Sequence, residues 1–114
     1  MKTSELTGAA LDWAVMHCEH PDNSISFFFK LRALHALHSS FYYSTNWAQG
    51  GPIIERKRLN LRASDAGDWI ASTHDMPHPD RLIQYGPTAL IAAMRCYVAS
   101  KLGDTVEIPE EIAK

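Results

Sequence analysis

The sequence predicts an α+β fold, in which a small antiparallel sheet of about three strands, plus a possible short fourth, carries an N-terminal and a C-terminal helix on one face. Helical apolar spacing occurs near both ends of the chain, and two-residue alternation occurs between them. Turn-forming residues separate the alternating segments. The 114 residues can bury a core without a metal or disulfide, so we expect a single domain over 1–114.

The first helix is predicted from its start signal and its apolar stripe. Thr7 can cap the helix, and Leu6 and Leu11 stand at the spacing of a hydrophobic staple. Pro21 ends the pattern, and Trp13 falls off the centre of the stripe, which places it at the border of the packed face. The stripe follows a 3.6-residue period and consists of Leu11, Ala14, Val15 and Cys18.

The middle of the chain predicts the strands. Residues 25–32 alternate and indicate one strand, whereas residues 33–43 fit either a short helical turn or a loop. Residues 58–63 and 69–74 alternate on either side of SDAGD, which predicts a β-hairpin. Residues 81–85 are a further short extended segment. Before the hairpin, Gly50-Gly51 is expected to break the chain and Pro52 to begin a short helical turn.

The last helix has the clearest boundaries. Thr88 is a good N-cap after Gly86-Pro87, and Gly103 is a good C-terminal cap. Its apolar face is predicted to consist of Leu90, Ile91, Met94, Tyr97, Val98 and Leu102.

Charge and composition restrict the function classes. The net charge is −2, whereas a sequence-independent DNA binder is normally basic. Nucleic-acid binding stays an alternative because the predicted hairpin carries a local basic stretch at 56–62. That stretch consists of Arg56, Lys57, Arg58 and Arg62. No apolar run approaches the ~20 residues of a membrane span, and the N-terminal residues do not resemble a signal peptide. We therefore expect a cytoplasmic protein without a membrane partner, and Cys18 and Cys96 as reduced, buried thiols.

Neither a metal site nor a catalytic motif emerges from the spacing. The six histidines include three short pairs, but the two cysteines do not complete a zinc pattern, so no metal or other cofactor is expected. No phosphate loop, dinucleotide fingerprint or nucleophile elbow is present. The expectation is that the protein is not an enzyme, although a small enzyme using His74, Asp75 and His78 as an acid–base set stays an alternative.

The segment YSTNWAQGGPIIE, residues 43–55, has the composition of a contact surface. Trp47 offers flat amphipathic area, and Asn46 and Gln49 offer paired donors and acceptors. In the alternative interpretation, Trp47 caps the core and the two amides hydrogen-bond the loop to itself. Arg95, a charged residue on an otherwise apolar helix, is a candidate neighbour of this surface. In the alternative interpretation it is an ordinary surface arginine or forms a salt bridge with Glu55. The candidate site consists of Tyr43, Asn46, Trp47, Gln49, Gly50, Gly51, Glu55 and Arg95.

Three blocks of the sequence resemble the NinX-like family of small phage and prophage proteins. They are KTSELTGAALDWAV at 2–15, YSTNWAQGGPIIER at 43–56 and GPTALIAAMRCYVASKLGDTVEIPEE at 86–111. The resemblance implies a phage or prophage protein acting in the bacterial cytoplasm, with no established activity to carry over. Asn46 stands where the family usually has Asp. Together with the residues, this predicts a non-catalytic binding module for a host or phage protein, with a homodimer possible through exposed aromatic surface.

Overall fold

The elements follow the predicted order in a computed structural model, which describes residues 1–19 and 42–108. A 3₁₀ turn at Thr3–Glu5 precedes helices α1 (Gly8–Glu19) and α2 (Trp47–Lys57), strands β1 (Asn60–Ala63), β2 (Trp69–Ser72) and β3 (Ile83–Gly86), and helix α3 (Ala89–Leu102). The α+β class is confirmed. The predicted strand at 25–32 lies outside the described residues, as does most of the segment 33–43.

The sheet has the order β1-β2-β3, and both strand pairs are antiparallel. The predicted hairpin is confirmed, with Leu61 opposite Ala71, and Gly67 takes a φ of +97° in its turn. The hairpin begins at Asn60 and not at residue 58, because Arg58 has a left-handed φ of 53° and ends α2. The short extended segment predicted at 81–85 is a strand, because Tyr85 pairs with Ile70.

Helix α3 contacts each of the strands and each of the other helices formed by residues 1–19 and 42–108. The predicted caps are confirmed, since Thr88 Oγ1 accepts from the Ile91 N–H at 3.1 Å and Gly103 follows the last turn with a φ of +85°. Burial extends beyond the predicted face: every residue from 92 to 99 is buried. A helix surrounded in this way needs apolar or small residues on all sides. None of the helices formed by the described residues has the length and apolar character needed to cross a bilayer.

Helix α1 packs against α3. It begins at Gly8 as predicted, and the Thr7 carbonyl accepts from the Leu11 N–H. The placement of Trp13 at a border was wrong, because its side chain is only 3% exposed. Residues 10–16 are all buried, so this part of the helix has no solvent-facing side on which a border could form.

The N-terminal residues are clamped to the segment that follows α3. The Met1 ammonium donates to the Val106 carbonyl and the Val106 N–H donates to the Met1 carbonyl, both at 2.9 Å. Thr3 adds two bonds, from its hydroxyl to the Gly103 carbonyl and from its N–H to the Asp104 carbonyl. We call this set of four bonds the terminal clamp.

Both cysteines are free thiols, as expected. Cys96 is fully buried in α3, and burial raises its pKa to about 11. Cys18 is partly exposed near the end of α1, which corrects the expectation that both thiols are buried. Its pKa is raised to about 12, chiefly by burial, while the charge of Lys101 acts in the opposite direction. Neither thiol is ionised near neutral pH, so neither has the character of an activated nucleophile.

Candidate functional site

The Gly-Gly-Pro sequence does not break the chain, which corrects the sequence-based expectation. Helix α2 runs through it from Trp47 to Lys57, with Pro52 inside. The helix starts early because Asn46 caps it: the Asn46 Oδ1 accepts from the Ala48 N–H at 2.8 Å. Because Pro52 has no N–H, the Ala48 carbonyl lacks its helical hydrogen bond. Ala48 is solvent-exposed, so water can donate to this carbonyl instead. The amide groups expected to be free after Pro52 are therefore inside the helix.

The turn before α2 is fixed by the amide side chains that were candidates for ligand binding. The Gln49 Oε1 accepts from the Tyr42 N–H at 2.7 Å, and the Asn46 N–H donates to the Tyr42 carbonyl at the same distance. The side-chain oxygens of Asn46 and Gln49 thus bind backbone groups within the segment, as the alternative interpretation expected. Their contribution to the site is to hold its shape.

A buried carboxylate anchors the same turn to α1. Asp12 is 5% exposed, and its Oδ1 accepts from the Ser44 N–H at 2.8 Å. Hydrogen bonds to a charged group are among the stronger ones in proteins. Sequence reasoning missed Asp12 and Ser44, because the pair is 32 residues apart and Asp12 resembles an ordinary surface position of a helix.

The two glycines have different surroundings. A Cβ at Gly50 would lie 2.5 Å from the Tyr43 carbonyl oxygen and 2.6 Å from Leu90 Cδ1, so only glycine allows α2 to approach these groups. A Cβ at Gly51 would meet only Trp47 Cε3, at an ordinary 3.8 Å. The close approach expected of this glycine pair is therefore a property of Gly50.

Trp47 is the accessible member of the candidate site. Its side chain is 54% exposed and therefore does not cap the core. It lies at the wall of a cavity of about 210 Å³ between the first turns of α2 and α3. We call this the Trp47 cavity; it is lined by Ser44, Thr45, Trp47, Thr88, Ala89, Leu90 and Ile91. No lining residue is charged.

The remaining candidates divide between this surface and other parts of the fold. Tyr43 is half-buried beside it, and its pKa is raised, first by burial and then by the charges of Glu19 and Asp12. Glu55 is exposed on α2. Arg95 is 8% exposed, and its hydrogen bonds go to the carbonyls of Leu6 and Tyr85, at 2.8 and 2.7 Å. Burial lowers the pKa of Arg95. The Arg95 side chain thus connects the N-terminal segment to β3.

The basic residues do not form one stretch on the hairpin, which corrects that expectation. Arg56 and Lys57 are in the last turn of α2, and Arg58 caps it; Arg62 is exposed on β1. Arg56 is paired with Glu19 at 2.5 Å, and this hydrogen bond is the main reason that the pKa of Arg56 is raised.

The same Glu19 oxygen accepts from the Tyr97 hydroxyl, also at 2.5 Å, so one carboxylate joins α1, α2 and α3. The Lys57 ammonium lies 5.9 Å from the centre of the Tyr97 ring. Its pKa is lowered, first by the neighbouring charge of Lys101. No local signal links residues so far apart in the chain, and sequence reasoning missed Glu19 for that reason.

A pair of histidines and a second cavity lie away from the Trp47 cavity. The His74 and His78 rings are stacked with centres 4.0 Å apart, and the His78 Nδ1 accepts from the Asp80 N–H. Within residues 1–19 and 42–108, no group of three or more His, Cys, Asp or Glu side chains could hold a metal ion. A cavity of about 320 Å³ lies at the other end of α3, lined by Trp13, His17, Leu102, Thr105, Val106 and Glu107.

Comparison with known proteins agrees with the blocks quoted above. The sequence model of the family described as "Bacteriophage P22, NinX" matches residues 2–101. None of the curated proteins matches the chain. The matched range contains each described helix and strand that precedes α3 and all but the last residue of α3 itself. The chain therefore belongs to the NinX family of bacteriophage proteins.

Proposed function

We propose that this phage protein is a non-catalytic binding module that recognises a host or phage protein in the bacterial cytoplasm through the surface around Trp47. One observation carries the proposal: a tryptophan that is 54% exposed lies beside a cavity on a backbone fixed by hydrogen bonds. Tryptophan is among the residues that contribute most to protein interfaces.

The fixed backbone matters because binding costs less when the free surface already has its bound shape. Asn46, Gln49 and Asp12 hold the turn and the first residues of α2, while Gly50 lies against Leu90 of α3. Trp47 therefore projects from a rigid support at the junction of two helices. A side chain presented in this way is suited to insertion into, or coverage by, a partner.

Trp47→Ala tests the proposal against Tyr85→Ala as its matched control. Tyr85 is exposed to the same degree, 53%, but lies on β3. Proteins captured from lysates of phage-infected host cells by the tagged wild type and both variants are quantified by mass spectrometry. We expect the Trp47→Ala variant to capture at least tenfold less of a specific partner than the wild type does, as at a hot-spot residue. The Tyr85→Ala variant should capture as much of that partner as the wild type. Equal capture by the folded Trp47→Ala variant would refute the role of Trp47.

Nucleic-acid binding is the second candidate, and the proximity of Lys57 and Lys101 is the observation that favours it. The charges of the two lysines repel each other, and a phosphate bound between them would reduce that repulsion. Retention on immobilised DNA or RNA would then fall steeply with salt. We expect no retention at 50 mM salt, because Arg56 is already paired and the net charge is −2.

A homodimer stays a prediction. The exposed apolar side chains of Trp47, Tyr85 and Ile83 are among the surfaces available for it. Sedimentation of the wild type and of both aromatic variants, across a range of concentrations, identifies which surface it uses.

A further inference from the structure

We propose that a cavity on the outward face of the sheet, formed around Arg62 and Arg81, binds a sugar phosphate. It is separate from the Trp47 cavity, and the inference does not rest on the proposed function. The cavity has a volume of about 230 Å³. We call it the arginine cavity; it is lined by Asn60, Leu61, Arg62, Ile70, Ser72, Asp75 and Arg81.

The strand register explains why the arginine cavity lies on this face of the sheet. Asn60 is opposite Ser72, and Arg62 is opposite Ile70. Side chains alternate between the two faces of a strand, so these four share the face opposite to that of Ala71, which is fully buried in the core. The arginine cavity therefore opens on the side of the sheet turned away from the core.

The connection between β2 and β3 holds Asp75 and Arg81 beside the strand residues. Its two ends are joined by hydrogen bonds: the Thr73 N–H donates to the Leu82 carbonyl at 3.1 Å, and the Leu82 N–H donates to Thr73 Oγ1 at 2.9 Å. Within it, the Arg81 N–H donates to the His78 carbonyl at 3.0 Å. Because these bonds already hold the backbone, a ligand that contacts both Asp75 and Arg81 has little loop ordering to offset.

Neither arginine of the cavity has a carboxylate partner within residues 1–19 and 42–108. The ion pair found there joins Arg56 to Glu19 instead. Arg81 is half-buried, and its Nε is enclosed without an acceptor among the described residues, whereas its terminal nitrogens stay accessible. A partly desolvated guanidinium gains more from an anion than one surrounded by water. Arg62, exposed on β1, adds a second guanidinium to the same cavity.

The two guanidiniums favour a phosphate monoester over other anions. A phosphate monoester has a charge of about −1.5 to −2 near pH 7 and three strong acceptor oxygens. Each guanidinium can donate two parallel hydrogen bonds to oxygens of this kind. A carboxylate or a phosphodiester offers only one charge and two such oxygens, so either would leave one of the arginines less well matched.

The remaining lining residues indicate that a sugar carries the phosphate. The Asp75 carboxylate repels a phosphate, but it accepts hydrogen bonds from hydroxyl groups, and the Asn60 amide can both donate and accept. Leu61 and Ile70 add apolar surface for the carbon atoms of a sugar. The cavity is smaller than the roughly 300–1,000 Å³ of pockets for drug-sized ligands, so it suits a sugar phosphate and is too small for a dinucleotide.

The test is a titration of the ¹⁵N-labelled full chain followed by NMR. The probes are ribose-5-phosphate, ribose, inorganic phosphate and a single-stranded oligothymidylate without a terminal phosphate. We expect saturable shifts of the Arg62, Ile70 and Arg81 amides with ribose-5-phosphate. Each of the other probes should bind about tenfold more weakly, because it lacks the monoester group or the sugar hydroxyls.

Variants of the full chain separate the roles of the lining residues. Arg62→Gln and Arg81→Gln are each expected to weaken binding of ribose-5-phosphate by about tenfold. Arg58→Gln is the matched control, because it removes an exposed arginine outside the cavity lining, and it should leave the affinity unchanged. Asp75→Ala removes a repelling charge, so it should bind inorganic phosphate more tightly and show less preference for ribose-5-phosphate over inorganic phosphate. Unchanged amide shifts of the buried residue Val98 show that each variant is folded.

Three outcomes overturn the inference. These are no shifts at the three amides with ribose-5-phosphate, full affinity for it in both folded arginine variants, and equal affinity for ribose-5-phosphate and any of the other three probes. Capture of a protein partner by the Trp47→Ala variant concerns a different surface. Either proposal can therefore fail while the other stands.

Discussion

Single residues around Trp47 have distinct structural roles although they are adjacent in sequence. Trp47 is exposed, while Asn46 and Gln49 bind backbone groups and Gly50 lies in a tight contact between α2, the Tyr43 carbonyl and Leu90. Only the first of these is a candidate for direct contact with a partner. Changes at the others act on the shape of the surface and must be separated from changes in recognition.

Gly50→Ala is expected to destabilise the fold, and Gly51→Ala to change its stability much less. At Gly50 the new methyl group would overlap a backbone oxygen and a leucine side chain, which costs about 1–3 kcal/mol. At Gly51 there is room, but the ring of Pro52 disfavours helical backbone at a preceding residue that carries a Cβ, which offsets the preference of about 0.5–1 kcal/mol for alanine over glycine in a helix. Urea unfolding of the two variants beside the wild type measures both. Similar free energies of unfolding for the two variants would contradict the packing described at Gly50.

Elements differ in how far local sequence determines them. The hairpin and α3 were predictable because their turn residues and caps are local, as at Gly67 and Thr88. Helix α2 was not predictable in this way, because glycine and proline in the local sequence indicate the end of a helix. The helix is maintained instead by its cap and by its contact with α3. Of the candidate site, the sequence singled out Trp47 but left open whether it is exposed or caps the core. Asp12 and Ser44 could not be predicted, since their bond is made by tertiary structure.

Arg95→Met is expected to destabilise the junction of three elements. Arg95 on α3 donates to two carbonyls. The Leu6 carbonyl follows the 3₁₀ turn, and the Tyr85 carbonyl lies in β3. Its replacement leaves buried acceptors without a donor and should cost about 2–4 kcal/mol. Arg62→Met, which removes an exposed arginine on β1, is the control and should change stability by less than about 0.5 kcal/mol. Equal losses in urea unfolding would show that the two bonds of Arg95 contribute little.

The whole molecule places its titratable groups so that stability depends on pH in the alkaline range. Burial raises the pKa of Cys96 from 9.0 to about 11 and that of Cys18 to about 12. Both thiols keep their protons in the folded chain at pH values where the unfolded chain loses them. Their contribution to stability is complete below pH 9 and is lost as the pH rises through 9 toward these higher values.

Cys96→Ala is therefore expected to flatten the pH dependence. Between pH 8 and 10 the wild type should lose about 1 kcal/mol through this thiol, and the variant should lose correspondingly less. The free energy of unfolding, measured in urea at each pH, provides the slope. The comparison uses slopes because the alanine variant also has a lower stability at neutral pH, owing to the cavity it creates. Parallel slopes would show that Cys96 ionises equally easily in both states.

The terminal clamp has a consequence for the time at which the fold is completed during synthesis. Its four hydrogen bonds join residues that are 100 to 105 positions apart, so the segment around Thr3 must wait for residues 103–106. Contacts of such sequence separation form late, because the chain must close a long loop before they can stabilise it. The hairpin can form while the chain is still emerging from the ribosome, but the N-terminal segment, including Thr3, reaches its native neighbours only after residues 103–106 have emerged.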